Sequence, residues 1–512
     1  MKIRSLCSKE ETKLLEYRFP GSEITEEGGA DTTVFSPKAL FSPAFLDLSG
    51  VDPETSFLLA GGACYPVGDL SALIRTQDKE RSHGDLEAVK QINRVRNRIS
   101  IWKKETVFSS YPSRIQMETT SFCNAECIMC PHCYSRNKDA RNMDEAMLEK
   151  IEPMLPYLES VYLHGNGEPL LSPSFTRMVD LYAGYGVKLH TNTNLSLLNG
   201  DVLDRLGPAF ASITISCDGC TRETYEGIRR GLSFERLVRN VQLLHRTWPS
   251  LKLKLNCVIM RQNVQELPQF PAFAKELGFS EIIFSDLGTS PVILKNEDDK
   301  LTHYPHYAAL QLLEAEKEGE ALGIPVRYSG FYKRVLQGNK DRAGTLNEAE
   351  KEKRRLLGKP FWRSREEDGE ISRFVESFHV HQDRLVEDLL DLDWDGGSYE
   401  TDGTCQMAFD QPFIDLDGNV CVCCISSTVR TGNLREEEGG FQKVWNSEAM
   451  QRLRQSFYDG QLPRICQGCQ FLLSYAFPDL TVKNPDGNLA ARINCSRAYE
   501  TLHAQEKQDR DQ

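Results

Sequence analysis

Ile115-Gln-Met-Glu-Thr-Thr-Ser-Phe-Cys123-Asn-Ala-Glu-Cys127-Ile-Met-Cys130-Pro-His132 sets three cysteines in a C-x3-C-x2-C spacing directly after an alternating apolar and polar run. The run reads as a strand, which puts the cysteines on a short loop at its C-terminal end. Iron–sulfur cubanes usually take four thiolates, so a set of three leaves one iron open to a ligand that is not protein.

The rest of the composition sets the frame for that loop. The 512 residues are 40% hydrophobic and 26% charged, enough for two to four soluble domains. A formal charge of −13 argues against nucleic acid or an anionic membrane as the main partner, because both need a basic footprint. The 16 cysteines are too sparse for a secreted disulfide scaffold and occur in C-x-x-C-like groups, which read as metal or redox sites in a reducing compartment. Lys2 and Arg4 are not followed by an apolar run, and no stretch reaches the length of a membrane span. A cytoplasmic location is expected.

Residues 1–105 form an N-terminal accessory region without a readable motif, apart from a helical spacing at Leu86–Trp102. From Arg114 the pattern becomes regular. Strands are predicted at 115–119, 160–165, 187–191, 212–217, 251–260 and 281–286, with helices at about 143–156, 174–184, 201–207, 234–247 and 264–277. Six strand–helix repeats imply a parallel sheet with right-handed crossovers, doubly wound or curled into a partial barrel, and chemistry then collects at the strands' C-terminal ends.

Residues 106–290 resemble the core of the radical S-adenosylmethionine (SAM) enzymes, a partial (β/α)6 TIM-like barrel in that family. After the second strand, His164-Gly165-Asn166-Gly167-Glu168-Pro169-Leu170 is similar to the family's Gly-Gly-Glu-Pro stretch that holds the SAM amine, with Asn166 in place of the first glycine. After the third, Thr193-Asn194 resembles the family's Thr-Asn-Gly segment without its glycine, with Thr191-Asn192 as a competing register. On the fourth, Ser216 and Asp218 share a face by alternation. Ser216 is a candidate ribose contact, and Arg229 matches the arginine that pairs with the SAM carboxylate. The resemblance therefore implies SAM contacts at Gly167, Glu168, Asn194, Ser216 and Arg229. It also implies a [4Fe–4S] cluster on Cys123, Cys127 and Cys130. Cys127, Cys130 and Cys133 resemble the start of a bacterial ferredoxin run, but that run next needs a cysteine where Asn137 stands, so Cys133 is read as a spare thiol. Met129 takes a place where the family usually has an aromatic near the adenine.

Residues 291–400 read as a charged helical insertion or linker; the mixed-charge run Asn347 to Arg373 suggests a solvated helix or a disordered insertion, and Val386 to Trp394 is acidic with interleaved leucines, with a lid only the minor alternative. The second informative block, residues 401–480, contains Cys405, an Asp417-Gly418 hairpin signal followed by Cys421, Cys423 and Cys424, the landmarks Gly432-Asn433 and Trp445-Asn446, and Cys466-Gln-Gly-Cys469. It is similar to the SPASM or twitch extension of radical SAM enzymes. No cysteine follows in Gln470 to Leu480, which favours one auxiliary [4Fe–4S] cluster on Cys405, Cys423, Cys466 and Cys469. Cys421 or Cys424 in place of Cys423, Cys495 as a late ligand, and a zinc ribbon on the same four residues are the alternatives. Residues 481–512 form a C-terminal tail.

The resemblance implies reductive cleavage of SAM and hydrogen abstraction from a substrate. Modification of a ribosomally made peptide is the first expectation, and oxidation or rearrangement of a small molecule such as a sugar or aminocyclitol the second. A non-catalytic iron–sulfur electron carrier is the third. A reductant protein such as flavodoxin or ferredoxin is the expected partner. Cys217 and Cys220 are read as core or surface thiols rather than hydrogen donors.

Overall fold

The computed structural model describes residues 84–102, 104–134, 140–287, 296–337, 342–373, 405–423 and 430–460, with five short strands nearer the N-terminus. Those strands, β1 (Lys2–Leu6), β2 (Glu23–Thr25), β3 (Thr32–Phe35), β4 (Ser56–Ala60) and β5 (Ala63–Pro66), form a sheet of order β2-β1-β3-β4-β5. Its pairings are parallel except for the β4–β5 hairpin. Helix α1 (Leu86–Trp102) follows at the predicted place and is tied to later elements: Lys90 donates to the carbonyls of Tyr185 and Gly186 at 2.7 and 2.8 Å.

Six parallel strands then appear in sequence order as neighbours: β6 (Arg114–Met117), β8 (Ser160–Leu163), β9 (Lys188–Thr193), β10 (Phe210–Ser216), β12 (Lys252–Ile259) and β13 (Glu281–Asp286). Between them run α2 (Glu145–Ile151), α3 (Phe175–Gly184), α4 (Gly200–Ala209), α5 (Arg222–Ile228), α6 (Phe234–Thr247) and α7 (Phe270–Leu277). Two short segments, β7 (Glu126–Cys127) and β11 (Arg229–Arg230), pair antiparallel with each other. The alternation expected of the fourth strand is observed. Ile213, Ile215 and Cys217 are fully buried in the core, whereas Thr214 and Ser216 are half-buried on the other face. That second face is mostly polar, with half-buried Tyr162, His190 and Asn256 on neighbouring strands and His164 just beyond β8, although Val258 and Ile283 also stand on it.

At one edge β14 (Val326–Arg327) extends the sheet, after the long helix α8 (Pro305–Leu322). Helix α9 (Arg342–Leu357) lies against α8, and Glu352 accepts from the Tyr307 N–H at 2.9 Å and contacts His306 Nδ1 at 2.9 Å. Leu356 is fully buried, so the mixed-charge run is not a solvated helix throughout: one stripe of it is core. The acidic stretch Val386 to Trp394 lies outside the described residues.

At the other edge the sheet is continued by the C-terminal block. Helix α10 (Gln406–Asp410) leads into β15 (Phe413–Ile414), which pairs parallel to β6, and β16 (Asn419–Cys421) and β17 (Arg430–Asn433) complete an antiparallel meander. Helices α11 (Phe441–Trp445) and α12 (Glu448–Tyr458) close it. The hairpin forms where Asp417-Gly418 predicts, because Gly418 takes a φ of 83° and the Asp415 carboxylate accepts from the Asp417 and Asn419 amides at 2.9 Å.

The landmarks of this block are its bolts to the barrel. A Cβ at Gly432 would stand 2.8 Å from Val444, so the glycine lets α11 approach the strand. Asn446 exchanges hydrogen bonds with the backbone of Phe108 at 2.7 and 2.8 Å. Arg454, fully buried, lies between the rings of Phe108 and Trp445 at 4.0 and 4.3 Å and donates to the carbonyls of Thr106 and Trp445. Asp410 accepts from both the amide and the hydroxyl of Ser113 at 2.6 Å.

Candidate functional site

The Cys123–Cys130 loop leaves the C-terminal end of β6, as expected. Cys127 is buried, and Cys123 and Cys130 are half-buried against the core. The loop is braced from two sides. Cys127 pairs with Arg229 in the β7–β11 ladder, and the Ile128 amide donates to the Ile228 carbonyl at 3.0 Å. On the other side Glu168 N donates to the Phe122 carbonyl at 2.8 Å.

That second contact explains a glycine. A Cβ at Gly167 would sit 2.3 Å from the Thr120 carbonyl oxygen and 2.5 Å from that of Phe122, closer than any side chain can stand. The turn after β8 therefore lies directly on the start of the cysteine loop. Gly165 is fixed in the same way, because its Cβ would collide with the Glu118 side chain at 2.5 Å. Glu118 accepts from the Asn166 amide at 2.8 Å and also from the Leu416 backbone, and its own amide donates to Ile414 at 2.9 Å. Burial pushes its carboxyl above the ordinary range. This residue, which the sequence reading passed over, joins the turn to the C-terminal hairpin.

Glu168 is buried, and burial raises its pKa against the pull of its donors. Its carboxylate accepts from the Thr193 hydroxyl, from the Asn194 amide at 2.8 Å and from the Leu170 amide at 3.3 Å. These three bonds leave part of a carboxylate's roughly four acceptor positions for a further donor. Of the two registers on the third strand, Thr193-Asn194 and not Thr191-Asn192 is the pair that reaches Glu168. Asn194 in turn donates to Asn124, inside the cysteine loop, at 3.0 Å. Leu195, where the resemblance would have a glycine, has a φ of 55°, the left-handed conformation that glycine favours.

Ser216 ends β10 on the polar face, opposite Asn256 in the register. Arg229 is buried and ion-paired to Asp218 at 2.8 Å without a linear hydrogen bond, and its Nη1 approaches the Cys127 sulfur at 3.7 Å. Asp218, itself fully buried, accepts from the Val258 amide at 2.8 Å. Gly167 and Glu168 thus follow β8, Asn194 follows β9, Ser216 ends β10, and Arg229 reaches the cysteine loop through the β7–β11 pairing.

Burial pushes Cys127 up to about 12 and raises Cys123. Cys130 is held low, at about 7, chiefly by a hydrogen bond from Cys133, which is raised in turn. Cys133 also stands 3.6 Å from the Ala125 carbonyl. Among the described residues no three His, Cys, Asp or Glu side chains converge on one metal ion. A cubane does not ask for that, because each of its thiolates binds a different iron.

In the C-terminal block Cys421 is fully buried and burial pushes it up to about 12; by register it shares the face of Phe413, Gln116 and Tyr162 rather than that of the core residues Val420 and Val422, while Cys423 and Cys405 are half-buried. Cys424, Cys466, Cys469 and Cys495 lie outside the described residues. Cys217 and Cys257 are fully buried on the helix-covered face and held protonated by burial, in keeping with the reading of Cys217 as a core thiol. No helix among the described residues is long and apolar enough to cross a membrane.

Residues 117–274 match the Radical SAM superfamily, and residues 405–470 match SPASM, an iron–sulfur cluster-binding domain. Mycofactocin maturase MftC of Mycobacterium tuberculosis is 30% identical over 171 residues, 33% of this chain and 43% of that protein. The tungsten-containing aldehyde ferredoxin oxidoreductase cofactor-modifying protein of Pyrococcus furiosus is 26% identical over 184 residues, 34% of this chain and 51% of that one. The matches thus span about half of these relatives or less. Among solved structures, Streptococcus suis SuiB bound to precursor peptide SuiA aligns with a TM-score of 0.45 and 12% identity, covering 75% of this chain and 80% of that one. AdoMet-bound anSMEcpe aligns at 0.42 and 16%, covering 71% and 95%. A radical SAM domain implies a [4Fe–4S] cluster and SAM, and a SPASM domain implies auxiliary iron–sulfur clusters. The chain thus carries a segment, 117–274, that matches the radical SAM superfamily and contains the cysteine loop at the C-terminal face of the parallel strands, and a second, 405–470, that matches the SPASM iron–sulfur domain.

Proposed function

We propose that the chain is a radical SAM maturase that modifies a peptide substrate. The observation that carries the reading is the Glu168 turn seated on the cysteine loop, with Thr193 and Asn194 closing it and Arg229 beside Cys127. Cys123, Cys127 and Cys130 hold the [4Fe–4S] cluster that meets SAM. Cys405, Cys423, Cys466 and Cys469 hold one auxiliary cluster, with Cys421 or Cys424 the alternative to Cys423. The three loop thiolates would hold a cluster that, once reduced, would supply one electron for the reductive cleavage of SAM and so the means to take hydrogen from a C–H bond.

The residues contribute position and polarity. Glu168 receives the SAM ammonium on its remaining lone pairs, in a buried setting where a charged hydrogen bond is strong. Arg229 offers its fork to the carboxylate while Asp218 keeps it oriented. Asn194 and Ser216 would face the nucleoside, and Gly167 keeps the Glu168 turn against the cysteine loop. The half-buried polar side chains of Tyr162, His164, His190 and Asn256 line the open face that the substrate approaches. A reductant protein such as flavodoxin or ferredoxin delivers the electron.

The peptide reading draws on the maturase name of the MftC relatives. Deuterium transfer into 5′-deoxyadenosine, assayed with deuterated candidate precursor peptides and with deuterated sugars and aminocyclitols, tests it. Label arriving from a peptide alone supports the proposal; label from a small molecule alone replaces it.

A further inference from the structure

Residues 359–368 cross the sheet's C-terminal face more than two hundred positions after the cysteine loop, and they are held there by a dedicated set of side chains. Arg261, just beyond β12, donates to the carbonyls of Pro360 at 2.7 Å and Lys359 at 3.3 Å, and Gln262 donates to that of Phe361 at 3.0 Å. Asp299, almost fully buried, accepts from Gln262 at 2.8 Å and from Arg363 at 2.9 Å, and pairs with Arg261 at 3.3 Å. So fixed, the segment turns two side chains onto the loop. Arg363 Nη1 donates to the Ile128 carbonyl, between Cys127 and Cys130, at 2.9 Å. Trp362 packs on the small apolar cluster of Ile128, Ile228 and Met260, so closely that a Cβ at Gly227 would stand 2.4 Å from its ring. The far end is pinned by an ion pair between Asp368 and Arg230, the neighbour of Arg229 in β11.

We propose that this segment is a built-in cover for the cysteine loop: Arg363 is a positioning residue that fixes the loop and raises the cluster's reduction potential, and Trp362 keeps water from its Ile128–Met129 side. The inference rests on the reading that Cys123, Cys127 and Cys130 hold the SAM-binding cluster. A guanidinium anchored one residue from Cys127 and two from Cys130 favours the more negative, reduced form of whatever cluster the loop carries. Charge, hydrogen bonding and solvent exposure are the levers that set such potentials. Two charged hydrogen bonds from one fork, to Ile128 and to Asp299, also hold the loop more tightly than neutral contacts would.

The test uses the full chain, reconstituted anaerobically with iron and sulfide, as wild type and as Arg363→Gln, Arg363→Lys, Trp362→Phe and Trp362→Ala. An EPR-monitored redox titration follows the cluster whose signal changes on adding SAM. Deuterium exchange follows the backbone amides of 126–130 in the iron-free chain, and iron release in air follows the cover. Arg363→Gln is expected to lower the potential of the SAM-responsive cluster and to speed exchange in the loop roughly tenfold or more, the equivalent of one lost charged hydrogen bond. Arg363→Lys is expected to recover the potential but not the exchange protection, because an ammonium restores the charge without the fork. Trp362→Ala is expected to shed iron from that cluster several times faster, with Trp362→Phe close to wild type, while the auxiliary cluster keeps its potential and lifetime. Unchanged potential and exchange in Arg363→Gln would overturn the proposal, as would equal changes in both clusters, which indicate general loosening. A wild-type chain with no SAM-responsive signal would instead overturn the reading of the cysteines beneath it.

Discussion

Leu195 shows at the scale of one residue what the sequence could and could not reveal. The Thr193-Asn194 resemblance is legible, but a leucine in the following place gives no hint that the backbone there is left-handed, with a φ of 55°. The conformation costs an L-residue about 1–2 kcal/mol. It is held by the Leu195 amide on Thr193 Oγ1 at 2.9 Å and by Asn240 on the Leu195 carbonyl at 2.7 Å, while the side chain is fully buried. Leu195→Ala gives up the buried side chain and keeps the strain; Leu195→Gly gives up the side chain and releases the strain. We therefore expect both variants to be destabilised, with Leu195→Gly the more stable of the two by about 1 kcal/mol in urea unfolding. The reverse order would show that the backbone is not strained there. Glu118 marks the opposite limit: nothing in its surroundings in the chain announces that its carboxylate binds Asn166 and the Leu416 backbone, because both partners are distant in sequence.

Among the elements, those with local chemistry were readable and those made by distant contacts were not. The Asp417-Gly418 hairpin was predictable because its glycine and carboxylates act within a few residues. The six core strands carry their own alternation, and each appears within a few residues of its predicted range. By contrast, residues 347–373 read as solvated charge, yet they contain the buried Leu356 and the segment that clasps Ile128. Charged residues that end in ion pairs with distant partners look the same in sequence as charged residues in water. The docking of the C-terminal block is an element-scale claim of the same kind. Arg454→Leu removes the guanidinium from between Phe108 and Trp445 and strands the Thr106 and Trp445 carbonyls. It is expected to cost about 3 kcal/mol or more. Limited proteolysis should then cut within residues 104–110 faster than in wild type; unchanged cutting would mean that the helices α11 and α12 are held by other contacts.

Across the whole molecule, the core was legible because six repeats reinforce one another. The N-terminal sheet was not, since its short strands pair mostly in parallel across segments without periodicity. The polar face of the core sheet also gives the chain a pH signature. Burial pushes His164 down to about 4, and burial together with Lys254, Arg114 and Lys188 does the same to His190. Between about pH 6.5 and 4 the unfolded chain binds protons at these histidines that the folded chain refuses, so stability rises with pH through that window. Their contribution is complete above about 6.5 and lost as pH falls toward 4. In urea unfolding of the iron-free chain, replacing both with glutamine is expected to flatten the dependence between those limits; an unchanged slope would mean that other groups carry it. That the cysteine loop and the strand ends around it form a SAM-cleaving centre, in a chain that carries a second cluster, is tested by anaerobic reconstitution, with iron counting and a 5′-deoxyadenosine assay after reduction in the presence of SAM. About eight irons per chain, two cubanes of four, are expected for wild type, with 5′-deoxyadenosine formed. A Cys123/Cys127/Cys130→Ala variant should keep about four irons and form none, whereas full loading of wild type with no cleavage of SAM would contradict the account.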